Sequence, residues 1–323
     1  MNAPSHITEI LEKGRSFLLT SHKNPDSDAL GSMLALAELL ESRGKSVSLY
    51  CTGGVPSFLN FLPGSEKISG GIPSGAEFDA LVVLDCPHPS RAGEDFEKYA
   101  ASSSASLVII DHHEPKDVEG AVKWADPSAP ATGILVHGIF KSFSAPFTKQ
   151  SATCVYAAIS GDTGSFRFSN TTSECFDIVS EMVLAGASPQ EVSSEIFENQ
   201  TRERLTLLGR VLETLTTDDT GKIAWVRIDR ETFESTRTSS EDSEGMVDIP
   251  MSLKGVRIAM LFRQETEKGK TFWKASIRSR GNTDVAKVAS VFGGGGHKNA
   301  AGFTFEGDFD KQIGRVLDEI NAA

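Results

Sequence analysis

An α/β fold is predicted: an N-terminal domain on a parallel sheet, joined by a helical linker to a smaller α/β domain. Three observations predict it. Ala80–Leu84 and Ser106–Ile110 are continuous apolar runs, as expected of parallel strands buried on both faces. Phe17–Thr20, Ala29–Leu40 and Ser46–Cys51 read in succession as strand, helix and strand. After Gly186-Ala187-Ser188-Pro189 the periodicity changes, first to a charged helical stretch and then to strand patterns from Ile223. A chain of 323 residues is long for a single core, so two domains are expected, at 1–188 and 219–323 with the linker at 189–218.

Each element has its own signal. Ile7–Lys13 reads as a short helix. The helix from Ala29 carries Leu30, Met33, Leu34, Ala37 and Leu40 at helical spacing, and Gly44 closes it. Ser151–Ser160 and Thr172–Ala185 read as helices, and Gln190–Thr216 as the charged helical connector. In the second domain Ile223–Ile228 alternates like a strand and Ser240–Leu253 reads as helical. Val256–Arg263 and Thr271–Ser279 read as strands paired about Glu267–Lys270. Asp284–Val291 is a short helix, and strand Phe303–Phe305 and helix Lys311–Ile320 finish the chain.

Composition narrows the function. Lys plus Arg number 32 against 44 Asp plus Glu, a net charge of −12. That disfavours a protein tracking along duplex or other long nucleic acid, which needs a basic stripe, but allows a short anionic substrate captured by metal ions and a few local cations. No apolar run reaches membrane-spanning length, and MNAPSHITEILEKG lacks the layout of a signal peptide. Cys51, Cys86, Cys154 and Cys175 form no CxxC pair and read as buried thiols, which fits a cytoplasmic protein without membrane attachment.

The chemistry gathers where strands end. Ser21–Ser32, SHKNPDSDALGS, places His22, Asp26 and Asp28 in a loop that Asn24-Pro25 keeps extended. Taken alone, that loop could equally be a helix cap beside a solvated histidine. Asp85 follows the run Ala80–Leu84 at once, however, and Asp111-His112-His113 follow Ser106–Ile110. Open α/β sheets bind ligands beyond the carboxyl ends of their strands, so three clusters converge on one edge. Asp162, at a glycine-flanked helix end, is a fourth candidate. Asp26, Asp28, Asp85 and Asp162 carry −4 when ionised, which two divalent cations would cancel. Oxygen and imidazole donors suit manganese, with magnesium, cobalt or zinc as alternatives. Two such ions sharing a carboxylate favour in-line hydrolysis at phosphorus. His112 and His113, being adjacent, are expected to point apart, one to metal and one to substrate.

A second motif lies near the C-terminus, in Phe292–Gly302. Gly293–Gly296 allow close backbone approach and an anion nest, with His297, Arg278 and Arg280 forming a phosphate pocket. A flexible turn with a solvated histidine is the alternative. The run lacks the lysine and hydroxyl residue of a nucleotide-triphosphate loop.

Asp111-His112-His113 and GGGGHKNAAG together resemble the DHH phosphoesterases with a DHH-associated C-terminal domain, in the nanoRNase/oligoribonuclease branch related to RecJ exonucleases. The likeness spans nearly the whole chain through five motifs. It implies that His22, Asp26 and Asp85 hold one manganese ion, and that Asp28, Asp85, His112 and Asp162 hold a second, with Asp85 bridging. It implies further that Asp111 orients a ligand histidine, that His113 meets the scissile phosphate, and that Gly295, Gly296, His297, Arg278 and Arg280 hold the substrate's other end. The family commonly reads NPDGD where this chain has Ser27. The implied activity is hydrolysis of very short RNA or DNA and linear dinucleotides such as pGpG, together with 3′-phosphoadenosine 5′-phosphate (pAp). Relatives suggest a homodimer. The alternatives are a cyclic di-AMP phosphodiesterase, a family II-like pyrophosphatase, and a non-catalytic nucleotide-binding module.

Overall fold

The computed structural model describes residues 2–267 and 269–322, and only the main chain of Phe197 and His297. It divides into two compact units, Met1–Asn199 and Gln200–Ala323. Among the described residues no helix is long and apolar enough to cross a membrane.

The first unit contains strands β1 (Ser16–Thr20), β2 (Ser46–Tyr50), β3 (Ile68–Ser69), β4 (Ala80–Leu84), β5 (Ser106–Asp111) and β6 (Val122–Ala125). Its helices are α1 (Ser5–Lys13), α2 (Ser27–Ser42), α3 (Glu94–Ser102), α4 (Thr132–Ser142), α5 (Lys149–Asp162), α6 (Ser173–Leu184) and α7 (Pro189–Ser193). The sheet is parallel throughout, in the order β3-β2-β1-β4-β5-β6. That order reverses between β1 and β4, which makes their carboxyl ends the topological switch point where such sheets bind ligands.

Alternation along each strand feeds two cores. Phe17 and Leu19 face the larger one, with α2, α4, α5 and α6; Leu18 faces the smaller one, with Phe96 of α3. Helices α2, α4 and α5 pack closely because small residues line their contacts. A Cβ on Gly133 would fall 2.7 Å from the Ala158 Cβ, and one on Gly31 3.2 Å from it. The four cysteines are buried free thiols. Helix α4 was not expected from the sequence: TGILVHGIFKS holds two glycines and several β-branched residues, which favour helix weakly.

The second unit contains β7 (Thr216–Thr217), β8 (Ile223–Ile228), β9 (Ile258–Glu267), β10 (Lys270–Ser279), β11 (Gly295–His297) and β12 (Ala300–Phe305), with helices α8 (Arg202–Glu213), α9 (Arg230–Thr236), α10 (Asp248–Met251), α11 (Val285–Val291) and α12 (Phe309–Ala322). Its sheet runs β11-β12-β10-β9-β8-β7, with β8 and β9 parallel and the other pairs antiparallel. Within 189–218, helix α8 belongs to this unit, burying Leu207 and Val211 against Val226 and Ile228. The continuous helix expected over Ser240–Leu253 does not form. A single 3-10 turn and α10 take its place, separated by Gly245 at φ 77°. Lys268, in the expected turn between β9 and β10, lies outside the described residues.

Candidate metal centre

The loop after β1 is not extended at Asn24, as the following proline suggested: Asn24 lies in the left-handed region (φ 56°), which asparagine tolerates better than most residues. Asp26 caps α2 by accepting from the Ala29 N–H at 3.0 Å, and Asp28 lies in the first turn of that helix. Asp85 follows β4 at φ 52°, an uncommon conformation for a residue with a side chain. Its own N–H still donates to the Ile110 carbonyl at 3.0 Å, so the strand hands it directly to the sheet edge. After Asp111 the chain bends, and the two following histidines therefore do not splay as on an extended strand. Their ring centroids are 4.5 Å apart, and both rings approach Asp85.

The distances are short and mutual. His22 Nε2 is 3.4 Å from Asp85 Oδ2. His112 Nε2 is 3.0 Å from Asp162 Oδ2, 3.4 Å from Asp85 Oδ1 and 3.9 Å from Asp28 Oδ2. His113 Nδ1 donates to Asp111 Oδ1 at 2.8 Å and lies 3.6 Å from Asp85 Oδ1. Among the described residues, three groups have their donor atoms within 4.8 Å of one another: His22/Asp26/Asp85, Asp28/His112/Asp162 and Asp85/His112/His113. Asp85 stands in two of them. The carboxylate of Asp111 holds His113, the residue expected to face substrate, whereas His112 is held by a backbone carbonyl.

The histidine tautomers suit cation binding. His22 Nδ1 is 3.0 Å from the Lys23 carbonyl and His112 Nδ1 is 3.2 Å from that of Ala129. A carbonyl only accepts, so each Nδ1 carries the proton and each Nε2 turns to the carboxylates, the arrangement typical of metal-ligating imidazole. Electrostatics agree. Burial works against a charged His112, but hydrogen bonds to Asp162 and Asp85 push its pKa up to about 12. His22 is likewise raised, against burial, by Asp85 and Asp26. Burial opposes a charged Asp85, yet His112 and His22 hold it well below the usual carboxylate range. Burial and then Asp85 and Asp162 push Asp28 upward, while three hydrogen bonds to its oxygens favour the ionised form. Asp26 is pushed upward first by desolvation and then by Asp85 and Asp162, an effect moderated by its solvent access at the rim. The site thus draws protons onto its histidines, and divalent cations would answer the same potential.

The chain matches the model of the DHH family, N-terminal domain, over residues 16–159, and that of the DHHA1 domain over residues 221–323. It is 32% identical to a protein of Thermus thermophilus named bifunctional oligoribonuclease and PAP phosphatase NrnA, across 97% of this chain and 92% of the relative. The chain belongs to the DHH family. A Bacillus subtilis protein of the same name is 26% identical, across 89% of this chain and 88% of that one. Among solved structures, an exopolyphosphatase-related protein from Bacteroides fragilis superposes with a TM-score of 0.90 at 28% identity, covering 98% of this chain and 95% of its own.

Inside the DHH domain, several contacts at the site escaped sequence reading. Asp28 Oδ2 accepts from the Thr132 N–H at 2.6 Å, and Asp28 Oδ1 from the Gly133 N–H at 2.8 Å and the Ser32 hydroxyl at 3.0 Å. Asp28 therefore caps α4, whose own N-cap, Ala131, has no capping side chain. Thr132 Oγ1 donates to Asp85 Oδ1 at 3.1 Å. No local signal marks Thr132 and Gly133, since 104 and 105 positions separate them from Asp28. Ser27, where the family commonly has glycine, is the first residue of α2 and is not left-handed, so serine is accommodated. Its side chain fills the space beside Gly161: a Cβ there would overlap the Ser27 hydroxyl and lie 3.3 Å from the Ser27 Cβ. Gly161→Ala should destabilise by about 1–3 kcal/mol and displace Asp28 against Asp162. The double variant with Ser27→Gly should recover most of the loss in thermal unfolding and metal titration, and failure to recover would exclude this contact as the cause.

The second unit changes the reading of the DHHA1 glycine run. Gly293 and Gly294 donate their N–H groups to Ser290 and Ala289 at the end of α11, so these two do not form an anion nest. A Cβ at Gly294 would lie 2.6 Å from that of Phe303, and one at Gly296 2.5 Å from the Ala301 Cα. Close strand approach, rather than a flexible turn, explains both glycines. Register places Arg278, Ala300 and position 297 in one row across β10, β12 and β11. Arg278 donates to its own Ile277 carbonyl at 3.3 Å, and the exposed Arg280 lies beyond the end of β10. The side chain of His297 lies outside what the structure describes.

Proposed function

We propose that this chain is a manganese-dependent phosphodiesterase that cleaves very short oligonucleotides, linear dinucleotides such as pGpG included, to mononucleotides and that also removes the 3′-phosphate of pAp. The observation that carries this reading is the convergence of three acidic and histidine groups, two of them sharing Asp85, at the switch point of the parallel sheet. The names of the Thermus and Bacillus relatives support the substrate class. The donor set fits two cations: His22, Asp26 and Asp85 would hold one, and Asp28, Asp85, His112 and Asp162 the other. Oxygen and imidazole ligands favour manganese.

When bound, such ions supply Lewis-acid stabilisation at phosphorus and lower the pKa of water. The chain's own residues do the rest. Lys23 and Ala129 carbonyls hold the tautomers of His22 and His112. Asp111 fixes the His113 ring by Nδ1, so that Nε2 is the atom that would meet a phosphate oxygen. Thr132 and the start of α4 hold Asp85 and Asp28 in place. In the DHHA1 domain Arg278, Arg280, Gly295, Gly296 and His297 would hold the distal end of the substrate.

The test is a panel of pGpG, RNA of two to twenty-four nucleotides, pAp, cyclic di-AMP and pyrophosphate with manganese, each repeated with EDTA. Mononucleotide release from the shortest RNAs, abolished by chelator, is the expected result. Turnover of pyrophosphate alone would overturn the substrate assignment, and binding without any turnover would overturn the enzyme assignment.

A further inference from the structure

The turn that follows Asp162 is strained. Gly164, Ser165 and Phe166 have φ of 55°, 55° and 65°, three successive left-handed residues of which two carry side chains. A bulky residue at positive φ persists only where its surroundings over-determine it, and such strain clusters at ligand sites. Here the surroundings are specific. The Ser165 N–H donates to the Ser160 carbonyl at 2.7 Å, and Thr163 accepts from Phe166 through its hydroxyl and from Arg167 and Phe168 through its carbonyl. The Phe166 ring turns inward, 6.1 Å from Tyr156 and 5.5 Å from Phe176. The Asn170 amide ties the far end of the turn to the Asp162 and Pro130 carbonyls.

With Phe166 turned inward, Phe168 stands at the surface, 50% exposed. Its ring is seated: the tip packs on Gly164, where an added Cβ would fall 2.6 Å from each Cε. Gly164 is thus required twice, for its φ and for the ring. The exposed Arg167 is pinned beside it by the 2.6 Å bond from Nε to the Gly164 carbonyl. A positioned aromatic ring next to a guanidinium, in the turn that directly follows the metal-site residue Asp162 and is tied to its carbonyl by Asn170, has the chemistry that holds single-stranded bases.

We propose that Phe168 is a base-stacking platform at the edge of the metal centre, taking a nucleobase of the short oligonucleotide cleaved there. This rests on the reading of the centre as an oligonucleotide hydrolase. It gives the site a preference for nucleotides over base-free phosphoesters.

The test uses the full chain with manganese and two dinucleotide probes, carrying 2-aminopurine at the 5′ or the 3′ base, with the leaving oxygen replaced by methylene to prevent turnover. Wild type should quench one of them. Phe168→Ala should lose that quenching and bind about 5- to 140-fold more weakly, the usual worth of one stacked base converted to affinity. Phe168→Trp should restore both, and Phe168→Leu, which keeps bulk without a ring, should not. An analogue abasic at the quenched position should bind wild type and Phe168→Ala alike. Unchanged quenching in Phe168→Ala, or equal weakening with the abasic analogue, would overturn the proposal. Quenching by wild type without turnover of the natural dinucleotide would sink the hydrolase reading while the platform stands. Turnover with an unchanged KM in Phe168→Ala would sink the platform while the hydrolase stands.

Discussion

Asp85→Asn is expected to lower turnover of a dinucleotide by on the order of 10³–10⁴-fold at saturating manganese. The residue faces His22, His112 and His113 and accepts from Thr132, and it stands in two of the three metal-site groups. Asparagine keeps the volume and tolerates the left-handed φ that Asp85 adopts, so the backbone should survive the change. What is lost is the charge, together with one acceptor oxygen replaced by a donor. Metal-assisted stabilisation at phosphorus is worth several kcal/mol, and each 1.36 kcal/mol is tenfold in rate. Calorimetric titration should show weakened manganese binding in the same variant, and the metal-free protein should lose some thermal stability, because the Asp85 charge pairs with His22 and His112. A rate within tenfold of wild type would remove Asp85 from the centre of the mechanism.

Asp28→Ala should behave differently, because Asp28 also builds the fold. Its removal strands the Thr132 and Gly133 N–H groups at the buried start of α4 and leaves the Ser32 hydroxyl without its acceptor. Each stranded donor costs about 1–3 kcal/mol, and the carboxylate at a helix N-terminus adds up to about 2. A loss of roughly 3–5 kcal/mol in urea unfolding of the metal-free protein is therefore expected, with loss of activity besides. Asp28→Asn should fall between, since its amide nitrogen must face a backbone donor. If Asp28→Ala unfolded like wild type without metal, Asp28 would act only through the metal, and the capping account would be wrong.

These two aspartates mark where sequence reading stops. Strands β1, β4 and β5 are legible because burial on both faces leaves continuous apolar runs, and the polar residue after each run marks a strand end. His22, Asp85, Asp111, His112 and His113 can therefore be assigned to one sheet edge from the order of residues alone. The motifs DHH and GGGGHKNAAG carry the family likeness for the same reason, since their chemistry lies in consecutive residues. Helix α4 is illegible: its composition favours helix weakly, and its cap arrives from Asp28 across the core. The glycine run misleads because glycine reports only that a side chain is excluded, not whether a turn or a neighbouring strand excludes it.

By itself the sequence determined which residues end the strands, the acid and imidazole chemistry they bring, and the family that combination belongs to. These follow from local periodicity and side-chain type. Tertiary structure alone decided the strand order that makes β1 and β4 neighbours, the close turning of His112 and His113, the capping of α4 by Asp28 and the seating of Phe168 on Gly164. Each of these depends on groups brought together only by packing, and packing is set by the whole core rather than by neighbours along the chain.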